Sequence, residues 1–482
     1  YGVVSHNVKA CEDSGCSADC VGFANGTKPQ VISSLDDNTA YYACVQTVDV
    51  RGNTSIFVAS DNTVTTDLGG PTVVAVYSTA ADGYYKVGDS LDIIVTFSEP
   101  AYDVGGATLI LDNGAVVARS TGDGTANWTF SYIVEAAQTS ADLDYANTSA
   151  LVLGTSIKDA AGNDANLNLP AINGAGSISD DQAIVIDTTI PAVASGVNIG
   201  EGANHNNSSI TVNFSAGTDA NAVTHNVKAC TDSSCSAGCV GENNSGSPST
   251  SSVSGLLDAT SYYACVQTMD AAGNLAAYVA SAASIAIDTT AATVVSVNSE
   301  NSNTYFKEGD SITLMVTFSE SVIVTGSPQL TLETGSSDAV VNIDSAGTGA
   351  VHNFTYTVGA NHTSADLNYQ STGALAISGG SILDVGGNAT DLTLPGLATA
   401  NALAQQESFV IDTTAPTGFS VTSPTGTIGS TTPTVEWTAS VDTNGVTYDL
   451  TIDTTSGCAS PVQNPTGETG TSHVLSPLGE GN

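Results

Sequence analysis

The chain repeats itself, and the repeat limits what it can fold into. His6-Asn7-Val8-Lys9-Ala10-Cys11 returns as His225-Asn226-Val227-Lys228-Ala229-Cys230, and Tyr41-Tyr42-Ala43-Cys44-Val45-Gln46-Thr47 returns from Tyr262 to Thr268. A second motif is interleaved with the first. Gly88-Asp89-Ser90 followed by Val95-Thr96-Phe97-Ser98-Glu99 returns as Gly309-Asp310-Ser311 followed by Val316-Thr317-Phe318-Ser319-Glu320. A period of about 220 residues carrying two kinds of unit predicts an alternating array. At 482 residues the chain should hold about four or five small cores. We place the units at 1–68, 69–190, 191–290, 291–414 and 415–482. The first and last are expected to be partial, and the natural chain is expected to be longer.

The local period is two. Leu91, Ile93, Val95 and Phe97 alternate with Asp92, Ile94, Thr96 and Ser98, which gives a strand with one buried face. Phe130, Tyr132 and Val134 repeat the pattern, as do Phe354, Tyr356 and Val358, with Gly, Asn, Asp and Ser supplying turns between runs. No amphipathic helix is predicted. The fold class is all-β, as tandem β-sandwich modules.

Charge removes whole classes of function. Eight Lys plus Arg stand against 48 Asp plus Glu, a formal net charge of -40. Nucleic-acid affinity comes from Lys and Arg releasing phosphate counterions, so no nucleic-acid partner is expected. Anionic lipid would be repelled. No apolar run approaches the roughly 20 residues of a membrane helix, so no membrane insertion is expected. Hydrophobic residues make up 41% of the chain, too many for a disordered acidic tail. No Ser, His and Asp trio recurs, and paired carboxylates carry no signal in so acidic a chain, so no enzyme is expected. His6 and His225 align with Tyr448 and read as packed core residues. Sequons such as Asn25, Asn53, Asn127, Asn213, Asn353, Asn361 and Asn388 are what composition alone would produce.

Nine cysteines fall as Cys11, Cys16, Cys20 and Cys44; Cys230, Cys235, Cys239 and Cys265; and Cys458. Their spacing does not suit paired zinc-binding Cys-x-x-Cys units, so disulfides in an oxidising, extracellular or cell-surface setting are expected. Cys458 aligns with Cys235 while Asp453 replaces Cys230, which predicts Cys16–Cys44 and Cys235–Cys265, leaving Cys11–Cys20 and Cys230–Cys239.

In the last unit Val435-Glu436-Trp437 aligns Trp437 to Phe214, and Tyr448, Leu450 and Ile452 align to His225, Val227 and Ala229. Through these residues the units at 1–68, 191–290 and 415–482 resemble fibronectin type III domains. The spacings Leu35 to Tyr41 and Leu256 to Tyr262 match the tyrosine corner of that family. The other two units resemble bacterial immunoglobulin-like repeats of large secreted surface proteins and adhesins. Here the residues are Thr96-Phe97-Ser98-Glu99, Ser140-Ala141-Asp142-Leu143-Asp144-Tyr145 and Asp159-Ala160-Ala161-Gly162-Asn163. Asp-Thr-Thr linkers begin at Asp187, Asp288 and Asp412, with Thr65-Thr66-Asp67 in the equivalent place.

In such sandwiches the entering linker shares a pole with the B–C and F–G loops, so acids in all three places should converge. The expected sets are Asp67, Glu99, Asp159 and Asn163; Asp187, Asp219, Asp270 and Asn274; Asp288, Glu320, Asp384 and Asn388; and Asp412 with Asp442. Calcium takes six to eight oxygens from groups of this kind and is the expected cofactor. The competing reading is that Asp-x-x-Gly-Asn is simply a tight turn. Repetition adds length rather than chemistry, which favours a cell-surface stalk, filament or adhesin. Its partners would be other copies of itself or a surface ligand such as a glycan or protein. The alternative is a spacer or carbohydrate-binding region of a larger secreted enzyme.

Overall fold

The strand Ser90–Asp103 shows how this sequence makes a sandwich. Leu91, Ile93, Val95 and Phe97 are all buried, while Asp92 and Ser98 face solvent. The computed structural model describes residues 3–27, 29–202, 204–245, 249–302, 304–456, 458 and 461–479. Within 69–190, Ser90–Asp103 pairs with Val73–Ser78, Thr125–Ile133 and Ile157–Lys158. Thr108–Ile110, Val116–Thr121 and Leu151–Val152 extend the same sheet, which curls around one core. Trp128 lies at its centre, with the Phe97 ring edge-on at 4.8 Å. Residues 291–414 place similar strands around a core that includes Phe354, Tyr356 and Val358, on and beside the strand Gly347–Thr357, but divide them between two four-stranded sheets.

The strand passes from one side of the core to the other through a bulge. Asn127 lies opposite Thr96, and the next pair is Thr125 opposite Ala101. In the repeat, Thr317 lies opposite Val351 and the next pair is Val322 opposite Gly349. Glu99 and Glu320 sit in these irregular stretches. They were expected in B–C loops, but the backbone continues as one long strand, and a bulge re-aims a side chain without ending the strand.

Residues 191–290 form a two-layer sandwich. One sheet has the order Ser195–Ile199, Ser209–Ser215, Thr250–Ser254. The other runs Asn204–His205, Ile285–Ile287, Thr260–Asp270, Val223–Cys230, Val240–Ser245. Phe214 and His225 meet in the core with ring centroids 5.0 Å apart. His225 is 0% exposed, and its Nε2 accepts the Gly217 N–H at 3.2 Å. In the last unit Trp437 and Tyr448 make the same contact at 5.2 Å, and the Tyr448 hydroxyl accepts the Ser440 N–H at 2.8 Å. The tyrosine corner is formed in both places: Tyr41 accepts from Asp36 N at 3.2 Å and Tyr262 from Leu257 N at 3.3 Å.

The disulfides are Cys11–Cys20, Cys16–Cys44, Cys230–Cys239 and Cys235–Cys265, and Cys458 is free and exposed. This is the predicted pairing. Cross-links of this kind contribute about 2–4 kcal/mol each by restricting the unfolded chain.

Among the described residues the helices are two single turns, Ile178–Asp181 and Leu403–Gln406, which leaves the expectation of no amphipathic helix standing. Each buries one side chain, Ile178 or Leu403. Four residues are too few to show an amphipathic period. One further feature positions the site. A short strand near the start of three modules pairs in parallel with the module's last strand: Gly83–Tyr85 with Ile184–Ile186, Asn204–His205 with Ile285–Ile287, and Tyr305–Phe306 with Val410–Asp412. This places the residue after each short strand beside the exit to the next module.

Candidate metal centres at the module junctions

The smallest piece of the site is the turn Asp-x-x-Gly-Asn. Gly162, Gly273 and Gly387 take φ of +99°, +81° and +95°, where a side chain would strain the backbone. The Asp caps the turn. One oxygen of Asp159, Asp270 and Asp384 accepts the backbone N–H of Asn163, Asn274 and Asn388, at 2.8 Å in each case. The other oxygen accepts the side-chain Nδ2 of the same Asn, at 2.7, 2.9 and 2.8 Å.

The Asn then reaches outward. Asn163 Nδ2 donates to the carbonyl of Asp67, Asn274 Nδ2 to that of Asp187, and Asn388 Nδ2 to that of Asp288, each at 2.9 Å. The turn therefore holds the linker by its backbone and brings the linker Asp to the turn Asp. The three asparagines act as braces through their amide nitrogens.

A third carboxylate completes each group. Asp67, Glu99 and Asp159 bring one oxygen each to within 4.8 Å of one another, as do Asp187, Asp219 and Asp270, and Asp288, Glu320 and Asp384. Asp384 is 0% exposed and Asp270 3%. Asp219 is positioned by its own turn: Asn221 N donates to its Oδ1 at 3.0 Å, and Asn221 Nδ2 reaches Asp187 Oδ2 at 2.6 Å. Asp412 and Asp442 repeat this pairing through Asn444, at 2.5 and 2.9 Å. No third carboxylate joins them among the described residues.

Two acids at these junctions were missed in the sequence. Asp37 and Asp258 come from the preceding module, in the turn before the tyrosine-corner strand. Asp37 accepts the Leu68 N–H at 2.7 Å. Asp258 accepts from Thr289 N and Thr290 Oγ1, both at 2.6 Å. The available signal was their common place beside Leu35 and Leu256.

Negative charge gathers at these points, and among the described residues no Lys or Arg forms an ion pair with the carboxylates of the three groups. Burial pushes Glu99 above its usual range, and repulsion from Asp67, Asp159 and Asp37 adds to it. Burial likewise raises Glu320, followed by Asp288, Asp384 and Asp258. Burial and the charge of Asp384 raise Asp288. At Asp159 burial acts upward but is outweighed by hydrogen bonds from Asn163 and Gly162, so it stays ionised below its usual range. Carboxylates from three separate segments, all offering oxygen and mutually repelling, fit a hard divalent cation.

No protein-family model matches the chain, and no curated protein matches it. Among solved structures, the FN1–FN3 domains of chicken CNTN1 align at 12% identity over 59% of this chain and 90% of theirs, with a TM-score of 0.26. A run of titin domains aligns at 15% identity over 51% of this chain and 74% of theirs, also at 0.26. The protein is an all-β array of immunoglobulin-like and fibronectin type III-like sandwiches, as its own sheets and cores establish.

Proposed function

We propose that this chain is the repeat region of an extracellular stalk, filament or adhesin whose module junctions are stiffened by calcium. One observation carries the reading: at three successive junctions, acids from the linker and from two places in the following module converge within 4.8 Å. The linker acids Asp67, Asp187 and Asp288 belong to the connection between modules, so an ion held there would tie each connection to the sandwich that follows. Asp67, Glu99 and Asp159 would hold the first ion, Asp187, Asp219 and Asp270 the second, and Asp288, Glu320 and Asp384 the third. Bound calcium would supply the positive charge that draws these oxygens together. The net charge of -40 favours an extended, soluble chain.

The four disulfides suit an oxidising exterior. Among the described residues no helix is long and apolar enough to cross a membrane. Partners would be other copies of the chain or a surface glycan or protein. Small-angle scattering of the 482-residue chain with calcium and with EGTA tests the proposal. A stiff rod that becomes flexible on chelation supports it, and identical profiles with no heat of calcium binding would remove it.

A further inference from the structure

The Asp-x-x-Gly-Asn turn offers one group that the acidic centre does not use, the outward carbonyl of its Gly. A side-chain donor reaches that carbonyl at all three complete junctions. Lys158 Nζ reaches Gly162 O at 3.1 Å from within the same module. Lys86 Nζ reaches Gly273 O at 2.9 Å, and Asn206 Nδ2 reaches Gly387 O at 3.0 Å. The last two bonds cross from one module to the next.

Lys86 and Asn206 hold equivalent places. Each directly follows the short strand that pairs in parallel with its module's last strand, Gly83–Tyr85 and Asn204–His205. Lys307 follows Tyr305–Phe306 in the same way and lines a cleft with Asp310, Asp412, Asp442 and Asn444. The parallel pairing fixes this residue at the pole where the next module begins. The bare glycine lets the donor approach, since a Cβ on Gly273 would stand 3.2 Å from Lys86 Nζ. The chain has only eight basic residues, yet Lys86, Lys158 and Lys307 all fall at these junctions.

The two crossing donors differ in charge. At the second junction Lys86 sets an ammonium on the turn that carries Asp270. At the third, Asn206 is neutral, while Asp258 adds its charge to that of Asp288, Glu320 and Asp384.

We propose that the residue after the short parallel strand is a latch that fixes how one module is set against the next, and that its charge decides how far a junction depends on a bound cation. The lysine-latched junction keeps its geometry without calcium, and the asparagine-latched junction loses it. The difference in calcium dependence rests on the divalent-ion reading of the acidic groups; the latch itself does not.

The test uses the full chain, with fluorophores attached through non-canonical residues at Ser131 and Ser254 for the second junction, and at Ser254 and Ser337 for the third. Single-molecule distance distributions are read in calcium and in EGTA. In calcium both pairs should give one narrow distance. EGTA should abolish the narrow peak for Ser254–Ser337 and leave it for Ser131–Ser254. Lys86→Gln should lose the second-junction peak in EGTA, and Asn206→Lys should keep the third-junction peak there. If Lys86→Gln retains its narrow peak in EGTA, the role of the lysine charge is overturned, and if Lys86→Met, which has no donor, retains it there, the latch is overturned. If the unsubstituted second junction broadens in EGTA as the third does, the role of the lysine charge is overturned. A third junction indifferent to EGTA would defeat the calcium reading instead, and the Lys86→Met result would still judge the latch.

Discussion

Asn388 donates its side-chain amide to the carbonyl of Asp288, 100 residues earlier in the chain, at a distance of 2.9 Å. The same nitrogen donates to Asp384 at 2.8 Å, so one side chain connects the linker to the turn. Asn388→Ala should free the linker and leave a fully buried carboxylate short of a donor. The expected cost is about 1–3 kcal/mol, read as a lower melting temperature for residues 291–414. A variant as stable as the parent would show that the brace contributes nothing.

Calcium titration should give about three binding events per chain, one for each complete acidic group. Saturation at about a hundred times the dissociation constant should add about 2.7 kcal/mol to a module with one site. Asp384→Asn should remove one event and leave the others. Heats that stay at three in this variant would place the ion elsewhere.

The core position shared by His225 and Tyr448 yields a substitution pair. His225→Tyr should be tolerated, because Tyr448 already accepts the Ser440 N–H as His225 accepts that of Gly217. His225→Phe keeps the ring and removes the acceptor, stranding a buried N–H at a cost of about 1–3 kcal/mol. Equal denaturant midpoints for the two variants would contradict this.

Asp112 gives a pH dependence with a definite sign. Burial raises its pKa above the usual carboxylate range, although the Ser140 hydroxyl and backbone donors act against the rise. The folded form therefore holds a proton that the unfolded chain releases. That contribution to stability is present below the unfolded pKa and is lost as pH rises through the folded one. Comparing the parent with Asp112→Asn across this window should show the parent falling relative to the variant as pH rises. A constant difference between the two would refute the assignment.

The alternation from Leu91 to Phe97 made the strands legible, because side chains on opposite faces of a strand sort by polarity. The disulfide pairing was legible because Cys458 and Asp453 stand where Cys235 and Cys230 stand in the complete unit. The sets of three acids could be listed because each recurs at a fixed place in its module. The bulges at Glu99 and Glu320 were not legible, since an irregular pairing and a loop look alike in a polar stretch. Asp37 and Asp258 escaped because they belong to one module and act at the start of the next.

The sequence by itself determined the modules, their strands, their cross-links and which acids could meet. The tertiary structure decided how they meet: that Asn163, Asn274 and Asn388 brace the linkers, and that Lys86 and Asn206 reach into the following module. A strand's period and a cysteine's partner are written in local pattern and internal repetition. A contact such as Lys86 to Gly273, 187 residues apart, depends on where two separately folded sandwiches come to rest against each other, and no local pattern records that.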